Sequence, residues 1–302
     1  MATITTTGSG NWSSTTPDAP WPSGTKPTTN DVVEIAAGHT VTLDEDTAAL
    51  GAAGIKNVAG SNTSVLDING TRTINGSVSY SGTATTGFVT LGTGDNLTIT
   101  STGGAGTNAV ANSSSGYCIV TSGSGILAIN NSGGTGVSNS GAGRAVQHGA
   151  TGTLAITATT AIANSSSGQA VRTDAAATVT ITGDIANSGS GYCFTNNGAT
   201  WTITGNLTNT YSTTTGSFIG WLAAGTTTIV GNIDCGNMAV VNLAFNHGNG
   251  TLNWTGNRTV AAGYRLYMSV TGATGVLNLA TASAALSLAN SGAVTIVKGS
   301  AG

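Results

Sequence analysis

Charge is what this chain has least of. Asp, Glu, Lys and Arg make up only 6% of its 302 residues, with eight cations against eleven anions. The cations are scattered from Lys26 to Lys298 and form no basic stripe, which argues against a nucleic-acid partner. Long apolar runs are missing too: none approaches the roughly 18 residues a membrane helix needs. Three cysteines, Cys118, Cys193 and Cys235, are too few for a disulfide framework and show no CxxC spacing for a metal knuckle. Prolines number four, at 17, 20, 22 and 27, so the chain beyond residue 30 has none. Aromatic residues are 5% of the total. The first ten residues, MATITTTGSG, carry neither a basic start nor an apolar stretch, so the expectation is synthesis in a cytoplasm without a signal peptide.

What is present is Gly, Ser, Thr, Asn and Ala, with short Val, Ile and Leu pairs recurring among them. A polar, glycine-rich chain stays disordered when it also has high net charge and few apolar residues. Here the net charge is -3 and 39% of the residues are apolar. The small polar residues therefore read as turn formers between many short strands, and the fold class as all-β.

A repeat gives the architecture. Gly, a polar or aromatic residue and two small or apolar residues recur as Gly116-Tyr-Cys-Ile, Gly143-Arg-Ala-Val, Gly168-Gln-Ala-Val, Gly191-Tyr-Cys-Phe and Gly216-Ser-Phe-Ile. A second series keeps the rhythm with alternating apolar residues: Leu127-Ala-Ile, Leu154-Ala-Ile, Val179-Thr-Ile, Trp201-Thr-Ile, Thr227-Thr-Ile and Leu252-Asn-Trp. A third closes each unit with Ile162-Ala-Asn, Ile185-Ala-Asn, Leu207-Thr-Asn and Ile233-Asp-Cys. Three short strands per unit of about 22–27 residues predict a single-stranded parallel β-helix, a β-solenoid in which stacking completes a core that no single coil can bury. A propeller blade needs about 40 residues, longer than this period. The reading divides the chain into an N-terminal cap with the first strands (1–61), regular coils (62–258), and terminal coils or an assembly contact (259–302).

The run Gly10-Asn-Trp12, Trp21, then Pro27-Thr-Thr-Asn-Asp31-Val-Val-Glu-Ile-Ala-Ala-Gly38-His-Thr-Val-Thr-Leu-Asp44 resembles the opening of β-solenoid modules that head some bacterial surface proteins and bacteriophage virion proteins. The resemblance covers about 45 residues. It implies a structural or display role, carries no catalytic residue, and favours the virion members because a signal peptide is lacking. The expectation is a capsid-decorating or tail-associated fibre component at a virion surface or in an extracellular assembly. Its partners would be other virion or filament subunits in a homo-oligomer. The alternative is a carbohydrate-binding adhesin or filament subunit holding a host surface glycan.

Chemistry is sparse by sequence. After residue 50 only Asp67, Asp95, Asp174, Asp184 and Asp234 are acidic, too few for a convincing acid/base pair. Asp174 and Asp184 are the nearest to one, on different sides of neighbouring coils. His39, His148 and His247 lie about a hundred residues apart, so no metal, cofactor or enzymatic activity is expected. Asn-x-Ser/Thr triplets such as those at Asn69 and Asn112 are what chance supplies in this composition. Tyr117, Arg144, Gln169 and Tyr192 precede the buried pair in four coils and form a candidate outward contact stripe, to be weighed against a plain solvated face. Asp184, Asn206, Asn232 and Asn257 each follow a glycine and form a candidate structural turn ladder. Cys118 and Cys193 fall three coils apart, roughly 14 Å, beyond disulfide reach, and should be free core residues. Trp201 and Trp254 sit in the apolar columns and read as core.

Overall fold

In the computed structural model the chain winds into a parallel β-solenoid. The structure describes residues 2–60, 62–149, 151–174, 176–211 and 220–231, and beyond these the strand segments 233–234, 242–247, 251–254, 258–260, 265–270, 276–278, 286–288 and 293–298. The described helical content is a single 3-10 turn, Pro22–Gly24.

The coils build three sheet faces, two of them from the first coil onward. The first face stacks Thr3–Thr5, Val32–Ile35, Ile55–Asn57, Val78–Tyr80 and Asn108–Asn112, then the C-terminal halves of Ile126–Asn139, Thr153–Asn164 and Thr178–Asn187, then Leu207–Asn209. The second stacks Gly10–Asn11, Thr40–Leu43, Val65–Ile68, Val89–Leu91, Tyr117–Thr121, Arg144–His148, Gln169–Thr173 and the start of Phe194–Thr204. The third begins only at Thr71–Asn75 and continues through Asn96–Ser101 and the N-terminal halves of the long strands. Ile126–Asn139 and Thr153–Asn164 each turn a corner between faces, with a break in register between Asn131 and Thr135.

The core follows from the alternation. Leu127, Leu154, Val179 and Trp201 pair in one inward row, Ile129, Ile156, Ile181 and Ile203 in the next, all essentially without exposure. Ile119, Val146, Val171 and Phe194 form the second-face row, and Val137, Ile162, Ile185 and Leu207 the first-face row. Each such side chain contributes about 1.5–3 kcal/mol by leaving water, and only stacking makes that possible. Trp201 is core, stacked on Phe194 at 5.2 Å with its indole N–H donated to Thr173 Oγ1 (3.1 Å). Trp254's side chain lies outside the described residues. Cys118 and Cys193 are buried free thiols three coils apart. Cys235 lies outside the described residues.

The expected period holds from Asn112 onward, where stacked asparagines follow one another at 27, 25, 23 and 22 residues. One coil is longer, with Gly82 and Ser114 in contact 32 residues apart, because loops around 81–87 and 102–107 bulge from its corners. The glycine of the repeat also has a structural reason. A Cβ on Gly143 would stand 1.9 Å from the carbonyl oxygen of Gly116, one on Gly168 2.2 Å from that of Gly143, and one on Gly191 1.9 Å from that of Gly168. Successive turns are thus packed backbone on backbone.

The N-terminal end of the core is closed by Trp12 and Trp21, both buried and edge-to-face at 4.9 Å, with Trp21 Nε1 donating to the Trp12 carbonyl (2.8 Å). The open edge of the third face is covered by the segment before it. Thr47 N–H donates to Thr73 O and Leu50 N–H to Asn75 O, while Asp46 Oδ1 accepts from Thr73 N–H. A bare strand edge is a template for unwanted pairing, and this strap satisfies it.

Candidate interaction faces

Two kinds of stacked polar column emerge, one inside the rod and one outside. Inside, Asn112, Asn139, Asn164, Asn187 and Asn209 are buried at the corner between the first and second faces. Each Nδ2 donates to the Oδ1 of the next, at 3.0, 3.0, 3.2 and 3.3 Å. The same amides also close the turns Asn-Ser-x-x-Gly at 112–116, 139–143, 164–168 and 187–191 through their carbonyls, for example Asn139 Nδ2 to Gly141 O (2.9 Å). A carboxamide offers donor and acceptor in one plane, so it can be satisfied upward and downward at once.

This buried asparagine ladder lies apart from the Gly-Asp/Asn positions singled out above. Asp184 and Asn206 are exposed, joined by the Asn206 backbone N–H donating to Asp184 Oδ1 (2.8 Å). Gly183 carries the left-handed backbone there (φ +127°), so the following Asp needs no positive φ. Asn232 and Asn257 lie outside the described residues. The buried ladder was visible as the repeated Ile-Ala-Asn ending. Its partner, the carbonyl-rich turn, is two residues further on and has no apolar signature.

Outside, on the second face, Tyr117 pairs with Arg144 and Arg144 with Gln169, and Tyr192 follows at the corresponding place one coil on, all half-buried. Arg144 lies over the Tyr117 ring at 4.7 Å, so this ring face is covered. Its Nε donates to Gln169 Oε1 (3.2 Å) and its Nη1 to Gln147 Oε1 (2.6 Å). Gln147 Nε2 donates to Asp174 Oδ2 (3.1 Å), whose Oδ1 takes Arg172 Nε (2.5 Å) and Asn197 Nδ2 (2.8 Å). Burial and then the nearby Arg172 draw Arg144 below the usual guanidinium range, and Tyr117 and Asp174 oppose them. Residues 96–231 hold four charged side chains, Arg144, Arg172, Asp174 and Asp184, and three of them are in this plate. Gln147, Arg172 and Asn197 were not singled out by sequence, because they reach Asp174 from three different places, the coil before, the same coil and the coil after, and share no repeat position.

Asp174 is committed to this plate, whereas Asp184 opens a first-face strand segment, with Thr160 its neighbour there. Among the described residues no three His, Cys, Asp or Glu side chains come together. His39 bonds Thr6 Oγ1 and His148 bonds Thr121 Oγ1, both at 2.8 Å. His247's side chain lies outside the described residues. Asn112, one of the glycosylation-type triplets, is 1% exposed and fully engaged in the ladder. Among the described residues no helix is long and apolar enough to cross a membrane. Two grooves among the described residues have volumes of about 300 Å³. One is lined by residues such as Leu50, Asn75, Ser77 and Thr100, and the other by the Glu34–Lys56 ion pair (3.0 Å), Asn57 and Tyr80. Comparison of the chain with protein-family models, curated proteins and solved structures finds no match.

Proposed function

We propose that the protein is a non-enzymatic structural rod, a virion component that decorates a capsid or forms part of a tail-associated fibre. The observation that carries the structural reading is the parallel pairing of coil on coil, backed by the buried asparagine ladder. Side-chain chemistry that an enzyme would direct at a substrate is spent here on joining coils, Asp174 with its three partners being the clearest case. Resemblance of residues 10–44 to the heads of virion and surface solenoids supports the particle. Homo-oligomeric assembly is part of the proposal, since a rod of this kind displays its faces best in multiple copies. The test is to image the native particle with an antibody against this chain. Regularly placed copies at the surface are the expected result, and a free, polysaccharide-cleaving monomer would overturn the proposal.

A second reading, a glycan-binding adhesin, draws on the second-face plate, where Arg, Gln, Asn and Tyr are held in place before any ligand arrives. Prior ordering lowers the entropic cost of binding. A glycan array run with the wild type and with Tyr117→Ala/Tyr192→Ala separates the two readings. Specific binding lost in the variant supports the adhesin, and no binding by the wild type supports the scaffold.

A further inference from the structure

The third face differs from the other two in what it shows to solvent. Its outward positions alternate with the buried Val179, Ile181, Trp201, Ile203 and Ile229. One row reads Thr153, Thr178, Thr200, Thr226 and Thr251 in five consecutive coils. The next contains Thr180, Thr202 and Thr228, and the third Thr157, Thr182 and Thr204. The remaining outward places in these coils are Ala155, Val230 and Asn253, so the patch has no charge at all. From Thr178–Thr182 to Thr200–Thr204 the register is continuous, without a bulge.

Strand preference alone does not account for this, because it would act equally on all three faces. The second face of the first two of these coils fills its outward positions with Arg144, Gln147, Gln169 and Arg172. Threonine is thus concentrated on one side of the rod and charge on another. The resulting net is two-dimensional, with threonines about 4.8 Å apart along the rod and about 6.6 Å apart along each strand. β-branching holds χ1 to few rotamers, so methyl and hydroxyl groups stand in fixed places. A ligand fitting such a net is itself a rigid, uncharged lattice of hydrogen-bonding groups repeating on that scale in two directions. Ordered water at an ice surface has this character, and a charged side chain would disrupt it by organising its own hydration.

We propose that the threonine net of the third face is an ice-binding surface, an activity separate from the structural role proposed above. It adsorbs to ice through many weak contacts and does not require the second-face plate. The test uses the full chain labelled on amines with a fluorophore, with equally labelled serum albumin as reference, while ice is grown slowly from the mixture. The expected result is enrichment in the ice several-fold above albumin. The double variant Thr180→Lys/Thr202→Lys should fall to the albumin level, and Gln169→Lys on the second face should stay at the wild-type level. Circular dichroism of each variant reports whether the rod is intact. Exclusion of the wild type from ice to the same extent as albumin overturns the proposal whatever the variants do. So does undiminished enrichment of the folded double variant, or depletion of the wild type by microcrystalline cellulose without any enrichment in ice.

Discussion

Asn164 is the midpoint of the buried ladder, and replacing it with Ala tests whether that ladder holds the coils together. The variant loses four hydrogen bonds: the one Asn164 accepts from Asn139 Nδ2 (3.0 Å), the two its own Nδ2 donates, to Asn187 Oδ1 (3.2 Å) and Ser166 O (3.1 Å), and a longer one it accepts from Ser166 Oγ (3.4 Å). At a net worth of about 1 kcal/mol for each of the three shorter ones, the loss is about 3 kcal/mol, or roughly a hundredfold in a local opening equilibrium. A solenoid opens by neighbouring units and not as one block, so a single unfolding midpoint would blur the effect. Amide hydrogen exchange resolves it. The N–H groups of Ser165 and Gln169, bonded to Asn139 O (2.9 Å) and Gly143 O (3.2 Å), should lose about a hundredfold of protection. Amides of the first coils, such as Val33, should keep theirs. Asn164→Asp should be worse at neutral pH, since it buries a carboxylate against Asn187 Oδ1 and Ser166 O, and should recover in part as acid protonates it. Asp184→Ala removes a side-chain acceptor of an exposed turn, where water can replace it, and should cost less than tenfold. If Asn164→Ala and Asp184→Ala gave the same loss, the assignment of the ladder to the buried column would be refuted.

His148 is fully buried, and burial draws its pKa below the ordinary imidazole value, opposed by a weaker backbone contact at Gly152. The unfolded chain therefore binds the proton more readily, so the contribution of neutral His148 to stability is complete above about pH 6.5 and lost as pH falls through its lower folded value. Exchange protection of the surrounding coils should fall over that window, and His148→Gln should flatten this part of the profile. Gly168→Ala would press a Cβ to 2.2 Å from Gly143 O, so the coils must move apart. About 1–3 kcal/mol of destabilisation is expected in denaturant titration, against no more than about 0.5 kcal/mol for Ala163→Ser on an outward position. Burial also pushes both the Cys118 and Cys193 thiols up, out of the range where thiolate forms. Neither should react with a disulfide reagent in the native protein, and both should react once guanidinium unfolds the rod.

The amino-acid sequence by itself determined the coil. Inward rows such as Leu127, Leu154, Val179 and Trp201 are legible because burial imposes a two-residue alternation, and the three series recur at one spacing because stacked coils must match in length. The separation of Cys118 from Cys193 and the outward placement of Tyr117, Arg144 and Gln169 are direct consequences of that spacing. Only the tertiary structure decided which asparagines form the ladder. Both candidate columns recur with the same period, and what separates Asn164 from Asn206 is whether the side chain points into the corner or out to water. It also decided that Arg144 covers Tyr117, that Asp174 is held by Gln147, Arg172 and Asn197, and that threonine and charge occupy different faces of the rod. These depend on which side-chain atoms meet: Arg144 stands in register over Tyr117, Gln147 reaches Asp174 diagonally from the coil before, and Arg172 meets it within one coil. Contacts at that level leave no periodic mark on the chain.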